Sequence, residues 1–504
     1  MSLDTSSTRT ASAPPRRSHT AAIHTAAIHT AAIHTAAIHT AAIHTAAIHT
    51  AATHPAYKKR MRLSDSLQIL CVASVAIVIA IFLADGGAAK FGTPADVFTS
   101  LGIVAGLVGT DLLLVMLVLA ARLPPIDRAF GYDQAMAVHQ SLGKPALYLI
   151  LGHAGLLITG YALAENANVF VEVWTMSTTL PDMPLAFLGL ALMVGVVITS
   201  LLVVRRKFRY EAWHAVHLLA YLAVLVAIPH QLSVGGLLAD GAIARYYWLA
   251  LYAAVAGSIL LFRFALPIIR SLRHRLVVDR VDAIAPGVVS ITLTGRQLAK
   301  LRATSGQFFV WRFWADGLWW QAHPFSLSSA PSERGLRITV RGLGDASQKL
   351  PQLKRGTRVS FEGPYGLFTE HARTSPLVVL IAAGIGVAPI RSLLETASFA
   401  PGNATVLLRS HSLGDTYLVD EITDLCRVRG AELRIIAGKR PTGVSTWLPA
   451  DAARAGITLR KIVPEVQHSD VYICGPRPWT DAVVRDARAC GVGKKQIHFE
   501  RFDW

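Results

Sequence analysis

Four histidines sit at regular spacing inside segments otherwise as apolar as a bilayer. His139 and His153 are fourteen residues apart, close to four helical turns, so on one helix they project from nearly the same face with a rise of about 21 Å. His217 and His230 are thirteen apart, a matching rise of about 20 Å. One imidazole in hydrocarbon is ordinarily met by a polar contact with a neighbouring helix. Two matched pairs suit bis-histidine ligation of two metal centres such as hemes, stacked across the membrane. Thirteen residues of ideal helix leave His230 about 140° from His217, and Pro229 is expected to bend the helix and correct this. His214, one turn before His217, is expected at the cytoplasmic edge as a neighbour, not a ligand. Asp111, midway along another apolar segment, suits a proton route, a contact at a heme edge or an interhelical hydrogen bond.

A second set of residues suits redox cofactors. A flavin ring needs an apolar face and a hydrogen-bonding group at its reactive nitrogen, and "HPFSLSSAP" supplies Phe325 and Ser326, flanked by His323, Pro324 and Leu327. "VRGLGDASQKL" offers Arg341 and the amides around Gly344 and Ser347 to a pyrophosphate. "AAGIGVAPI" places Gly384 and Gly386 between a strand and a helix, as a dinucleotide-binding turn requires, with Pro389 in the place of a third glycine. "GPYG", with Gly363 and Gly366, precedes it. "CGP", Cys474, Gly475 and Pro476, ends a late strand where a nicotinamide could rest. Arg409, followed by Ser410 and His411, and Lys439 with Arg440 in "AGKRP", fall where a ribose-binding acid would mark NADH; cations there favour the 2′-phosphate of NADPH. The bland alternatives are an ordinary strand-turn for the first motif and a solvated strand-end charge for Arg409. The chain ends "HFERFDW", whose Phe502 or Trp504 could cover the flavin ring.

The elements that carry these residues follow from composition. The chain has 504 residues, 52% of them hydrophobic, and six apolar segments, 66–84, 97–121, 135–163, 185–204, 212–231 and 245–267, are each long enough to cross a hydrocarbon core of about 30 Å. Basic clusters at Lys58–Arg62, Arg122 and Arg128, Arg205–Arg209 and Arg270–Arg275 flank alternate ends, which places both termini in the cytoplasm of a multi-pass protein of the plasma (cytoplasmic) membrane. Those clusters contribute to the net charge of +17 and read as membrane topology. No basic run interleaved with aromatics points to nucleic acid. Four dispersed cysteines encode neither an iron–sulfur cluster nor a disulfide scaffold. Residues 20–49 are six T-A-A-I-H repeats whose histidines, spaced by five, spiral round a helix and build no face; an unstructured tail is expected. Beyond about 275, short alternating runs split by Gly and Pro suggest a small antiparallel barrel, and beyond 376 strands alternate with helices as in a parallel α/β sheet.

The expected fold is therefore multi-domain: a His-rich tail over 1–63, a six-helix transmembrane bundle over 64–271, an antiparallel β-barrel flavin domain over 272–372 and an α/β parallel-sheet nucleotide domain over 373–504. The order of "HPFSLSSAP", "GPYG", "AAGIGVAP" and "CGP" resembles the ferredoxin-reductase superfamily. With the paired membrane histidines, about residues 64–504 resemble a transmembrane flavocytochrome of the ferric reductase or NADPH oxidase type. The resemblance implies electrons passing from cytoplasmic NADPH through FAD and two b-type hemes, held by His139, His153, His217 and His230, to an acceptor outside. It implies flavin contacts from Phe325 and Ser326, phosphate contacts from Gly384 and Gly386, and a nicotinamide contact from Cys474. Ser326, Cys474, Phe502 and Trp504 are its candidate catalytic positions. A ferric chelate is slightly favoured as acceptor, with molecular oxygen the alternative; an oligomer is compatible with either. Two rivals are a membrane-anchored flavin reductase without heme, serving a cytoplasmic carrier, and a heme-binding membrane protein with a vestigial flavin domain. No calcium-binding loop is present in the sequence, so calcium control is not implied.

Overall fold

The computed structural model describes residues 55–504 other than 202, 203, 205–209, 235, 239, 503 and 504. The T-A-A-I-H repeats, the basic residues Arg205, Arg206, Lys207 and Arg209, and Trp504 lie outside the described residues.

Among the described residues, six helices are long and apolar enough to cross a membrane: Lys59–Ala84, Pro94–Ala120, Tyr132–Glu165, Met183–Ser200, Ala212–Ser233 and Ile243–His274. We number the helices α1 (Pro55–Ala84), α2 (Pro94–Ala120), α3 (Pro124–Phe130), α4 (Tyr132–Glu165), α5 (Val169–Thr179), α6 (Met183–Ser200), α7 (Tyr210–Ser233), α8 (Ile243–Ile259) and α9 (Leu266–His274). Helix α2 opens on Pro94 behind a capping box of Thr93 and Asp96, and α4 stops at Asn166, which adopts left-handed backbone. Helices α2 and α4 pack closely because glycines line their contact. A Cβ on Gly102 would lie 3.0 Å from Leu157, and one on Gly109 would lie 2.9 Å from Ile150. Gly189 does the same for α6 and α7, where a Cβ would meet the Ala223 carbonyl at 2.8 Å.

Two local features depart from the sequence expectation. The connection 164–184 contains α5, which exposes Phe170, Val171 and Trp174. The last membrane helix does not end near 267: a π-helical turn at Leu260–Ala265 joins α8 to α9.

Strands β1 (Leu276–Ala285), β2 (Val288–Thr294), β3 (Phe308–Phe313), β4 (His323–Ser326), β5 (Leu336–Arg341) and β6 (Arg358–Tyr365) form an antiparallel sheet in the order β4-β3-β6-β1-β2-β5. It curls around Phe309, Trp311, Phe313, Ile291, Leu327 and Phe361. The expected barrel is incompletely closed, since its two edges meet only at the single bridge of Leu327 with Ile338.

The second sheet is parallel throughout: β7 (Leu377–Ala383), β8 (Ala404–Ser410), β9 (Glu432–Ala437), β10 (Ser469–Pro476) and β11 (Ile497–Phe502) in the order β11-β10-β7-β8-β9. Alternation along its strands divides the core. Val379, Ile381 and Ile473 enter one apolar cluster, while Val378, Leu380 and Tyr472 enter the other. Helices α10 (Val387–Thr396), α11 (Val419–Arg429), α12 (Ala450–Arg454), α13 (Leu459–Ile462) and α14 (Arg477–Ala489) accompany it. Strand order reverses between β7 and β10, where ligands of open α/β sheets bind.

Candidate functional site

In the membrane half, α4 carries His139 and His153 and α7 carries His217 and His230. The His139 and His217 rings face one another with centroids 6.2 Å apart. A metal bonded at about 2 Å to one nitrogen of each ring fits that gap. His139 Nδ1 lies 3.0 Å from the Met116 carbonyl of α2, and His153 Nδ1 lies 2.9 Å from the Gly102 carbonyl of the same helix. A carbonyl can only accept, so each Nδ1 carries the proton and Nε2, across the ring, presents its lone pair as a metal ligand must. His217 Nδ1 is 3.1 Å from the Ser200 hydroxyl of α6, and its ring stacks on Trp213 at 5.1 Å.

His153 and His230 line one cavity of about 310 Å³ in the bundle, together with Gly106, Tyr161, Gln231 and Trp248. His230 Nδ1 is buried with no hydrogen-bond partner among the described residues. Pro229 is accommodated within α7, which continues to Ser233. His214 is half-buried beside Trp213 at 6.4 Å. Asp111 faces away from the histidines: it accepts from Ser74 Oγ at 2.6 Å, and its Oδ2 is buried without a partner among the described residues.

In the half that follows the membrane helices, β4 and the parallel sheet bring Ser326 to the end of β11. Ser326 is buried, and its hydroxyl donates to Glu500 Oε1 at 3.1 Å. Glu500 sits opposite Cys474 in the β10–β11 ladder. Burial, and then the negative charge of Asp133 at the start of α4, push the Glu500 carboxyl up to about 8, against the lowering effect of the Ser326 hydrogen bond. The Cys474 thiol is fully buried and pushed well above its ordinary range by burial, then by Glu500 and Asp133. Phe325 pairs with Phe309 across β3–β4 and stacks on His323 at 6.0 Å, while Trp311 Nε1 donates to the Phe325 carbonyl at 3.0 Å. Pro324 pairs with Val310 and Leu327 is fully buried.

The "AAGIGVAPI" turn lies against the same point. Gly384 has φ +55°, which favours glycine, and a Cβ on Gly386 would lie 2.2 Å from the Cys474 carbonyl oxygen. Pro389 is buried in the first turn of α10. A Cβ on Gly475 would strike Trp479, and Pro476 is exposed at the strand end.

This two-part arrangement is matched by two families. The ferric reductase like transmembrane component matches residues 105–228, and the FAD-binding domain matches residues 278–369. The chain therefore carries a membrane segment similar to the ferric reductase transmembrane component, followed by an FAD-binding domain. Curated relatives include a flavohemoprotein of Xylella fastidiosa, 31% identical over 206 residues that make up 39% of this chain and 50% of that protein. Another is the ferredoxin reductase component of 3-ketosteroid-9-alpha-monooxygenase from Mycobacterium tuberculosis, 29% identical over 40% of this chain and 56% of that protein. The chain thus spans about half the length of the curated relatives it matches. Among solved structures, the FAD/NAD-binding domain of a Vibrio cholerae nitric oxide dioxygenase is 23% identical, with a TM-score of 0.37 over 46% of this chain and 99% of that one.

Several residues expected at the cofactor sites make other contacts. Arg409 is 6% exposed and spends its guanidinium on the carbonyls of Trp447, Ser410, Ile436 and Gly438. It braces the strand ends, and the exposed cations there are Lys439 and Arg440. The Leu343 and Gly344 amides donate to Ser347 Oγ at 3.0 and 2.9 Å, so that turn closes on itself and does not present those N–H groups to a pyrophosphate. Arg341 is exposed at the end of β5. The backbone of Phe502 pairs with Pro476 at the end of β11.

Sequence reasoning missed Glu500, Gly106 and the two α2 carbonyls. "HFERF" offered a signal for Glu500, an acid alternating with aromatics on a terminal strand. Gly102, Gly106 and Gly109 form a small-residue stripe that marks where α2 approaches α4. A backbone carbonyl leaves no sequence signal.

Proposed function

We propose that the chain is a transmembrane NADPH-dependent oxidoreductase that carries electrons through FAD and two b-type hemes to an acceptor outside the cytoplasm, with a ferric chelate preferred. The observation that carries this reading is the pairing of His139 with His217 and of His153 with His230 along two helices, with α4 beginning at the Ser326–Cys474–Glu500 constellation. Flavin converts a two-electron hydride into single electrons, and heme iron accepts them one at a time. The chain's own residues supply the rest. Met116 and Gly102 hold two imidazoles in the tautomer that offers Nε2. Phe325 offers an apolar face beside the Ser326 hydroxyl. Glu500, neutral at pH 7, can hold a proton and pass it through Ser326 Oγ. Cys474 remains a thiol and acts as a packed wall for the nicotinamide. The exposed Lys439 and Arg440 suit a 2′-phosphate, and the preference for a ferric acceptor draws on the matched membrane family.

The deciding experiment is an absorption spectrum of the purified protein with flavin and heme quantified, then NADPH added without oxygen. Two b-type hemes per chain, reduced after the flavin, are expected. A protein that binds flavin but no heme would refute the reading in favour of the anchored reductase.

A further inference from the structure

Several membrane-side elements converge on one short segment of the flavin sheet, residues 361–367, which spans the "GPYG" motif. Glu362 Oε2 accepts from Arg122 and from Arg263, each at 2.7 Å, with the three side chains 18%, 14% and 28% exposed. Arg122 follows α2, and Arg263 lies in the π-helical turn, a local change of helical register that re-aims side chains. Arg270 donates to the Gly363 carbonyl at 2.6 Å, and Ser271 Oγ accepts from the Phe361 amide at 3.2 Å. The Asp127 carboxylate accepts from the Gly366 amide at 3.3 Å. Tyr132, the first residue of α4, packs against Phe308 at 5.9 Å and Tyr365 at 6.4 Å, with the Arg122 guanidinium over both tyrosine rings.

The junction also lies between the two redox sites. Glu362 pairs with Val310 on β3, and Val310 pairs with Pro324 on β4, so two strand spacings of about 4.8 Å separate it from Pro324, the neighbour of Phe325. On the other side, Tyr132 precedes His139 by seven residues of one helix, about 10.5 Å. A rotation of the flavin sheet about this junction changes the gap between Phe325 and His139 without altering either site.

We propose that Glu362, clasped by Arg122 and Arg263, is a positioning residue that sets the flavin domain's distance from the inner histidine pair and thereby the rate of electron passage between them. This rests on the function proposed above. A carboxylate bridging two guanidiniums that are largely shielded from water is directional and poorly screened by salt, unlike an exposed ion pair. Removing its charge leaves two like charges facing each other.

The test uses the full-length purified protein and rapid mixing with NADPH in the absence of oxygen, following the flavin and heme bands separately. Glu362→Gln is expected to leave heme content and flavin reduction unchanged and to slow heme reduction several-fold, because the flavin domain is no longer held at its set distance from His139. The double variant Arg122→Ala with Arg263→Ala should show the same split. Heme reduction at the wild-type rate in both variants overturns the proposal. So does an equal loss of flavin reduction or heme content in both, which would make the contact merely structural. An unmodified protein that lacks heme reducible by NADPH would instead sink the proposed function, and the clasp with it.

Discussion

Replacing Gly106 with alanine should remove one heme and spare the other. The added Cβ would lie 2.3 Å from His153 Nδ1 and 2.7 Å from its Cε1, closer than atoms pack. Gly106 is on a helix whose backbone cannot retreat without parting α2 from α4, so the ring must turn. Turning breaks its bond to the Gly102 carbonyl, 2.9 Å in the unmodified protein. Overpacking costs ~1–3 kcal/mol and leaving the buried His153 Nδ1–H unmet costs ~1–3 kcal/mol, so the seated ring loses ~2–6 kcal/mol. The lower bound alone weakens ligation by about 30-fold. Heme content should therefore fall from two per chain towards one, read by the pyridine hemochrome assay on purified protein, with flavin content constant. Gly155→Ala is the control: it lies on α4 two residues from His153, and a Cβ there meets nothing within 4 Å. Two hemes with unchanged spectra and potentials in Gly106→Ala would refute the assignment of His153 to a heme.

Four further outcomes follow from the structure. His139→Ala or His217→Ala should lose the inner heme while NADPH still reduces the flavin; two hemes per chain in either variant would contradict the pairing. Arg440→Ala should raise the KM for NADPH about ten- to a hundredfold with little effect on NADH, the loss of one charge-assisted contact of ~1.5–3 kcal/mol. Arg409→Ala should instead lower the melting temperature and leave the nucleotide preference unchanged, because its donors are committed to carbonyls. Glu500 has a native-state value of about 8, above that of a free carboxyl, so its neutral form is favoured by the fold and lost as pH rises through 8. Flavin reduction by NADPH should decline above that pH in the unmodified protein, and a Glu500→Gln variant, permanently neutral, should show no such decline.

The membrane helices were legible in the sequence because a bilayer demands some twenty apolar residues per crossing and positive flanks, a signal with little local ambiguity. The histidine spacing was legible for the same reason, since rise along a helix is fixed by its geometry. Charged side chains misled where their direction mattered. Arg409 stands near the end of β8, where a phosphate-binding cation would, but β8 is interior to the sheet, and the side chain turns under the strand ends and meets the carbonyls of Gly438 and Trp447. Ser347 resembled an anion-binding turn, and its hydroxyl satisfies that turn from within. The π-helical turn and the grip on residues 361–367 left no trace, because they depend on contacts between segments more than 90 residues apart.

The carbonyls that steady His139 and His153 belong to Met116 and Gly102, themselves fourteen residues apart on an antiparallel helix, as are the two histidines. Helices α2 and α4 therefore act as two rulers laid against each other, graduated alike. The separation of the two imidazoles is quantised: lengthening α4 alone by a turn would carry one imidazole past its carbonyl, and only a matched lengthening of α2 would recover it. The spacing of His139 and His153 is a property of the helix pair, resistant to drift through single substitutions and open to change only in coordinated steps of a turn.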